Sequence, residues 1–442
     1  MRTVFYSTST NIFRDGDVTL TNMMSHAQQF RNFTQSHPDD DFFAVTQQPG
    51  MFMPEKELSG DDPRIIYARQ DDSTDEIAQI IAGLRPDIAI AMTFWVAPFD
   101  WLAVSDALVA ERLRGMGISV ICNSVETALI CFDKNRTREF FERNGIPSPR
   151  TIFVDHDLFF CAASGKEVLH NAYRNSVLAQ VRTMRLPLVI KDTTGLSAYS
   201  LGVAGTYGEA EAYLTSKRNS SNRIVQEYAH GLHLGVEVYG AAGRYTVLPP
   251  FVFSLSKYGI TSARHSVKFC AGGKIRAQEN SGKISGTDFP DLEDLVLGIA
   301  RKLDLQGAAQ IDLVLERDKW TVIEINPRLS GMSLAYAAGA RTSVFEMIFS
   351  ASRAMREYAP ENPPLTMRPT LSIKLPPQSK DSLAGIMRTV SSDGQDLACQ
   401  ISQIHDSAAR QERERGYCEI ILSGDEDGIA EAVSKVIAAG KS

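Results

Sequence analysis

Asp312 and Glu324 stand twelve residues apart in GAAQIDLVLERDKWTVIEINPRLSGMS, the stretch from Gly307 to Ser333. Two segments inside it, Gln310 to Glu316 and Trp320 to Asn326, alternate polar and apolar residues, as strands with one buried face do. Ile311, Leu313 and Leu315 share a face of the first strand, so Gln310, Asp312 and Val314 face the other way. In the second, Thr321, Ile323 and Ile325 share a face, opposite Val322, Glu324 and Asn326. A three-residue turn over Arg317, Asp318 and Lys319 sets Glu316 across from Trp320. That register puts Asp312 across from Glu324 and Gln310 across from Asn326. Opposed Cβ atoms lie only about 4.5–5.5 Å apart, and like charges so placed repel. A fold that pairs two carboxylates there calls for a cation between them. Carboxylate and amide oxygens are hard ligands, suited to magnesium that carries phosphates. The plainer alternative is an exposed hairpin with solvated acids. It fits poorly with the buried-looking run Ile323, Ile325 and Pro327, followed at once by Arg328.

Other stretches hold cations. Lys134 falls in the first turn of a helix that Asp133 can cap, with Phe140 and Phe141 on its apolar side, Gly145 as its stop and Pro147 beyond. A lysine gains nothing from the dipole at that end, so an anion is a reasonable partner. Lys191 ends the apolar run Leu188, Val189, Ile190, where a lysine needs a partner. The loop behind it holds Thr193, Thr194, Gly195, Ser197 and Ser200, whose amides and hydroxyls can wrap phosphate oxygens. It is not a Walker loop, since G-x-x-x-x-G-K-[ST] is missing. His230 and His233 lie around a bend, more in the manner of surface residues than of metal ligands. The strand-like run from Tyr245 to Ala271 carries Lys257, Arg264, His265 and Lys268. Arg264, His265 and Lys268 could hold a substrate carboxylate, and Trp95 could line an amine pocket; surface charge or core packing accounts for each of them equally well.

The elements that must position these groups follow from pattern. The chain has 442 residues, more than one ordinary core holds, so two to four domains are expected. A hydrophobic share of 43% with 22% charged residues fits a globular chain. A net charge of −7 excludes a general nucleic-acid binder. The longest apolar stretch, Ile88 to Val104, is broken by Pro98 and Asp100, so no membrane span is expected, and MRTVFYSTST is not a signal peptide. Cys122, Cys131, Cys161, Cys270, Cys399 and Cys418 form no C-x-x-C pair, which suits a reducing cytoplasm.

Val4–Tyr6, Phe42–Val45, Ile65–Tyr67, Ile88–Met92 and Ile118–Cys122 read as buried strands of an open α/β sheet. Helices lie between several of them, Asp75 to Leu84 and Trp101 to Met116 among them. Ligands of such sheets bind beyond the strand C-termini, near Ser7–Asn11 and Thr93–Trp95. Asn123 with Glu126 suggests a capping box. Asp291 to Leu303 and Leu334 to Arg353 read as helices. Pro360, Pro363 and Pro364 precede a small α+β lobe with strands Leu371–Leu375 and Tyr417–Leu422, helices near Leu383–Val390 and Glu426–Ala438, and an expected packing role.

The ordered set of motifs is more specific than any member: a D-K helix ending in G-I-P-x-P, a P-x-V-I-K strand with its hydroxyl loop, Q-E-Y-A-x-G with a downstream H-x-x-x-E, and a D…E-x-N-P-R hairpin. Together they resemble the ATP-grasp superfamily over roughly residues 115–335, in particular its carboxylate–amine ligases of the L-amino-acid (dipeptide) ligase kind. The resemblance implies an α/β and α+β multidomain chain. Residues 1–126 would be the open α/β domain that precedes the ATP-grasp fold, 127–228 its lid, 229–359 its catalytic part and 360–442 a small C-terminal lobe. It implies that Lys134 and Lys191 contact the ATP phosphates and that the loop with Thr194, Gly195 and Ser197 closes over them. Gln226, Glu227 and Ala229 would hold adenine, and His233 the ribose. Asp312, Glu324 and Asn326 would bind two magnesium ions, with manganese as a substitute, and Arg328 would stabilise the transferring phosphoryl group. The sequence departs from the family's pattern in having one glycine in the loop before Gly202 and Gln226 where an acid is common.

The function so implied is ATP-dependent joining of a small-molecule carboxylate and an amine, by way of an acylphosphate, to give an amide, with peptide natural-product assembly as one setting. A homodimer in the cytoplasm, with no nucleic acid and no membrane as partner, completes the expectation. The alternatives are an ATP-grasp enzyme with another acceptor (bicarbonate and a carrier, a thiol, a purine precursor) and a nucleotide-binding module without turnover.

Overall fold

Short apolar runs separated by amphipathic helices build the N-terminal unit: β1 (Arg2–Ser7), β2 (Asp17–Thr21), α1 (His26–Ser36), β3 (Asp41–Gln47), β4 (Ile65–Ala68), α2 (Thr74–Gly83), β5 (Ile88–Ala91), α3 (Leu102–Gly115) and β6 (Ser119–Ile121). The chain is described by a computed structural model over residues 1–8, 17–47, 62–69, 71–93, 102–162, 168, 170–194, 201–255, 266–270, 278–279, 282–283, 289, 291–353, 367–391, 397–405 and 416–439. The five expected strands form one parallel sheet in the order β4-β3-β1-β5-β6. The pattern missed α1 and β2.

Two helices follow, α4 (Val125–Phe132) and α5 (Lys134–Asn144). The first is capped by Ser124, whose hydroxyl accepts from the Thr127 N–H, and not by the expected Asn123–Glu126 box. Asn123 is spent elsewhere: it accepts from the Gln306 N–H and donates to the Pro327 carbonyl. Asp133 caps α5 through the N–H groups of Asn135 and Arg136, and Gly145 ends it at φ 63°, a left-handed position that glycine takes without strain.

The next segment comprises β7 (Thr151–Val154), α6 (His156–Phe160), α7 (Ala172–Val181), β8 (Leu188–Asp192), β9 (Leu201–Ala204), α8 (Tyr207–Leu214) and β10 (Arg223–Glu227). Its four strands pair antiparallel as β7-β10-β8-β9.

The rest comprises β11 (Leu232–Ala241), β12 (Arg244–Val247), β13 (Phe251–Phe253), β14 (Ser266–Cys270), β15 (Gln278–Glu279), β16 (Gly282–Lys283), α9 (Leu292–Lys302), β17 (Gly307–Glu316), β18 (Lys319–Asn326), α10 (Ser333–Gly339), α11 (Val344–Arg353), β19 (Thr370–Leu375), α12 (Lys380–Ser391), β20 (Ala398–His405), β21 (Gly416–Ser423) and α13 (Glu426–Ala439). A ten-stranded sheet runs β18-β17-β11-β13-β14-β19-β21-β20-β2, with β12 beside β11. The C-terminal lobe therefore extends the sheet that carries the acidic hairpin, and β2 from the N-terminal unit closes its far edge. The single helix expected over Leu334–Arg353 is two, broken after Gly339, with Arg341 at φ 53° in the linker.

The hairpin itself corrects two expectations. Glu316 pairs with Lys319, so the turn has two residues, not three. Arg317 and Asp318 both take positive φ, 48° and 61°, in a primed turn whose twist suits the flanking strands. A bulge between Asp312 and Leu313 then adds one residue to β18, and Asp312 still meets Glu324, with Gln310 opposite Asn326. The bulge also breaks the expected face of Thr321, Ile323 and Ile325. Val322 and Ile325 enter the core with Ile311 and Leu313, while Ile323 lines the cleft beside Glu324.

Candidate nucleotide and metal site

Two elements bring lysines to the acidic pair. α5 presents Lys134 from its first turn, with Nζ 3.9 Å from Glu324 Oε1. The Lys134 N–H also donates to the Thr193 carbonyl at 2.7 Å, which ties the helix to the start of the loop after β8. β8 presents Lys191, which donates to Gln226 Oε1 at 3.1 Å; Gln226 is fixed in turn by donating to Thr151 Oγ1 at 3.1 Å. Lys134, Thr137, Arg138, Ser148, Thr151, Lys191, Gln226, Ile323 and Glu324 line one cleft between the four-stranded sheet and the hairpin.

Burial pushes the Lys191 ammonium down to about 8, with Lys134 acting in the same direction and Glu324 and Asp312 opposing it. The charged form is the one that can neutralise a phosphate. In the free protein it is lost as pH rises through about 8, so the KM for ATP should climb by about tenfold for each further pH unit. Steady-state kinetics from neutral pH upward check this, and a flat KM would contradict it.

On the hairpin, Gln310 Nε2 donates to Asp312 Oδ1 at 2.6 Å, and Arg328 Nη2 donates to Asn326 Oδ1 at 3.1 Å. Asn326 and Arg328 are buried, and Glu324 is half-buried. Among the described residues no three His, Cys, Asp or Glu side chains converge. The donor set is two carboxylates with amide oxygens, all hard, which fits a magnesium ion that keeps several waters. Asp312, Glu324 and Asn326 are the residues that would hold it.

The remaining assignments divide. Glu227 follows Gln226, but its carboxylate turns to Arg150 and Arg185, accepting from the Arg185 N–H at 2.9 Å. Ala229 offers its carbonyl to His233 Nε2 at 3.3 Å, and burial holds the His233 imidazole below its usual range. Thr194 is exposed. Gly195, Ser197, Trp95, Arg264 and His265 lie outside the described residues, as do the ends of the Ser7–Asn11 and Thr93–Trp95 segments. Lys268 belongs to β14, paired with Ser372 of β19.

Thr93 does meet the site. Its carbonyl accepts from the Leu329 N–H at 2.9 Å, and Asp106 ties it to Thr8 by accepting from both hydroxyls and from the Thr8 N–H. The strand ends of the N-terminal sheet thus abut the turn that bears Arg328. Burial pushes the thiols of Cys122, Cys399 and Cys418 up to about 12, so none is a thiolate at neutral pH.

Glu237 is the acid of the H-x-x-x-E string, a position to which local pattern assigns no role. Fully buried in β11, it pairs across from Gln310 on the face that carries Asp312. Its Oε1 accepts from Ser330 at 2.5 Å and Ser333 at 2.7 Å, and its Oε2 accepts from Tyr239 at 2.7 Å. It fastens the Arg328 turn to the sheet. The signal was present: Val236 and Val238 are core residues, so the residue between them must face the site. Glu237→Gln should lower kcat by about ten- to a hundredfold, the usual loss when a supporting hydrogen bond is removed, with the KM for ATP unchanged. A matching rise in that KM would place Glu237 in nucleotide binding instead.

Residues 131–332 match the family model described as an ATP-grasp domain. The chain carries an ATP-grasp domain over those residues, and the sheets described above have the ATP-grasp fold. Among solved structures it is similar to carboxyaminoimidazole ribonucleotide synthase from Aspergillus clavatus complexed with ATP, at 13% identity and TM-score 0.64, over 99% of both chains. It is similar to an L-amino acid ligase from Bacillus licheniformis at 14% identity and TM-score 0.64, over 99% of this chain and 97% of that one. N5-carboxyaminoimidazole ribonucleotide synthetase from Thermus thermophilus matches at 14% identity and TM-score 0.63, over 100% and 99%. At such identities the likeness is one of fold.

Proposed function

We propose that this protein is an ATP-dependent carboxylate–amine ligase that forms an amide through an acylphosphate. The observation that carries the reading is the pairing of Asp312 with Glu324 beside Lys134, Lys191 and Arg328. Solved neighbours include an ATP complex and two kinds of C–N bond-forming synthetase or ligase, which supports the same class.

The chemistry follows from charge. A carboxylate and a triphosphate repel, so their reaction needs cations held in place beforehand. Lys134 and Lys191 sit where they can neutralise phosphate oxygens, and Arg328 sits at the end of the hairpin where the γ-phosphoryl group would transfer. Asp312, Glu324 and Asn326 would hold magnesium, which when bound would supply further charge neutralisation. A substrate carboxylate oxygen bonds to the γ-phosphorus while the bridge to ADP breaks. An amine then attacks the acyl carbon, its proton passes to solvent, and the tetrahedral adduct expels phosphate. No enzyme nucleophile is needed, in keeping with the protonated thiols. Water would have to be kept from the acylphosphate, which it would hydrolyse.

Among acceptors, joining of two amino acids is our first choice, because the four-part layout resembles the L-amino-acid ligase branch in size and order. A purine-precursor acceptor is the second, favoured by the ribonucleotide synthase neighbours. Carboxyl-labelled acids with ATP, magnesium and an amine panel test the reading. Transfer of one labelled oxygen to inorganic phosphate is expected, and unlabelled phosphate would exclude the acylphosphate.

A further inference from the structure

We propose that Lys374 of the C-terminal lobe binds an oxyanion of the nitrogen-donating substrate beside Arg328. This rests on the ligase reading above and names a feature of the substrate that reading leaves open.

β19 alternates. Leu371 and Ile373 enter the core of the C-terminal lobe, so Thr370, Ser372 and Lys374 share the opposite face, and all three are buried. That face looks toward the turn that follows β18 and bears Arg328. Lys374 Nζ lies 3.3 Å from the position a Cβ would take on Gly331, three residues after Arg328. Glu419 Oε2 stands 3.9 Å from the ammonium, and the Tyr417 ring centroid 4.3 Å. The other Glu419 oxygen accepts from Ser372 at 2.6 Å. Glu419 and Tyr417 thus form a cradle that keeps the lysine charged and directs its head to the turn.

A purely structural seam would not need this arrangement. Burying a lysine and a glutamate seldom improves on apolar packing of the same volume, and an apolar side chain at 374 would suit the helix α10 packed on this face. What the lysine adds is a second cation beside one turn, with Arg328 at its start and Lys374 against Gly331. Arg328 is assigned to the phosphoryl side. Lys374 then suits an anionic group on the partner that brings the nitrogen, either the carboxylate of an amino acid or the phosphate of an amine-bearing ribonucleotide.

The test is binding to the full chain with ADP and magnesium, by calorimetry, for wild type, K374M and K374R. One set of probes is the L-amino acids and their carboxamides; the other is 5-aminoimidazole ribonucleotide and its dephosphorylated nucleoside. One set should bind wild type, weakened about tenfold or more when the oxyanion is removed, as loss of a charged hydrogen bond predicts. K374M should weaken the oxyanion form by the same factor and leave the neutral analogue unchanged, and K374R should restore most of the loss. If K374M does not fold, K374Q carries the same comparison. Equal weakening of both forms by K374M would make Lys374 structural and overturn the proposal; so would a failure of both sets to distinguish K374M from wild type. ADP release is scored separately: Lys374-dependent binding without turnover would sink the ligase reading and leave this assignment standing.

Discussion

Replacing Glu324 by Gln should lower ATP turnover by about 10²–10³-fold, the loss typical when a preorganised electrostatic group leaves a reacting centre. The substitution keeps the volume and removes the charge, so the fold should survive. Its effect is compounded. Glu324 is the largest influence holding the buried Lys191 ammonium in its charged form, ahead of Asp312. Without it Lys191 loses its proton at lower pH, and the deficit should deepen as pH rises. Asp312→Asn should behave in the same direction, more weakly toward Lys191. Turnover of either variant at the parental rate, with the melting temperature unchanged, would remove the hairpin from the chemistry.

Arg328→Lys is the second large effect, again about 10²–10³-fold in kcat with little change in the KM for ATP. The guanidinium is buried and donates at once to Asn326 Oδ1 and to the Leu329 carbonyl. A lysine is a point charge on a flexible stem and cannot keep both bonds while facing a phosphoryl oxygen. If the KM for ATP rose while kcat held, Arg328 would belong to nucleotide binding.

Much of this was legible from residue order. The five N-terminal strands, the caps of α5, the β8 lysine and the Asp312–Glu324 pairing all follow from local patterns. The pairing is instructive, because its route differs from its result. The turn is one residue shorter than expected, and the bulge at Asp312 restores the register. Side-chain alternation reports which residues must share the ligand face; it does not report where an extra residue is absorbed. Asn123 shows another limit. Its identity suits a helix cap, yet Pro327, more than two hundred positions away, claims its amide.

What stayed hidden depends on distant chain segments. Glu237 matters through Ser330 and Ser333, 93 and 96 residues on. Lys374 matters because β19 joins the sheet of the acidic hairpin through β14, a pairing that no local periodicity encodes. The C-terminal lobe therefore read as packing alone. Among the described residues no helix is long and apolar enough to cross a membrane.

The central claim is that the paired acids hold divalent cations only to carry a nucleotide. Manganese binding, followed by electron paramagnetic resonance on the full chain with and without a non-hydrolysable ATP analogue, tests it directly. Wild type should take up manganese strongly only with the nucleotide, and a chain carrying both Asp312→Asn and Glu324→Gln should not. Undiminished nucleotide-dependent uptake by that double variant would contradict the account.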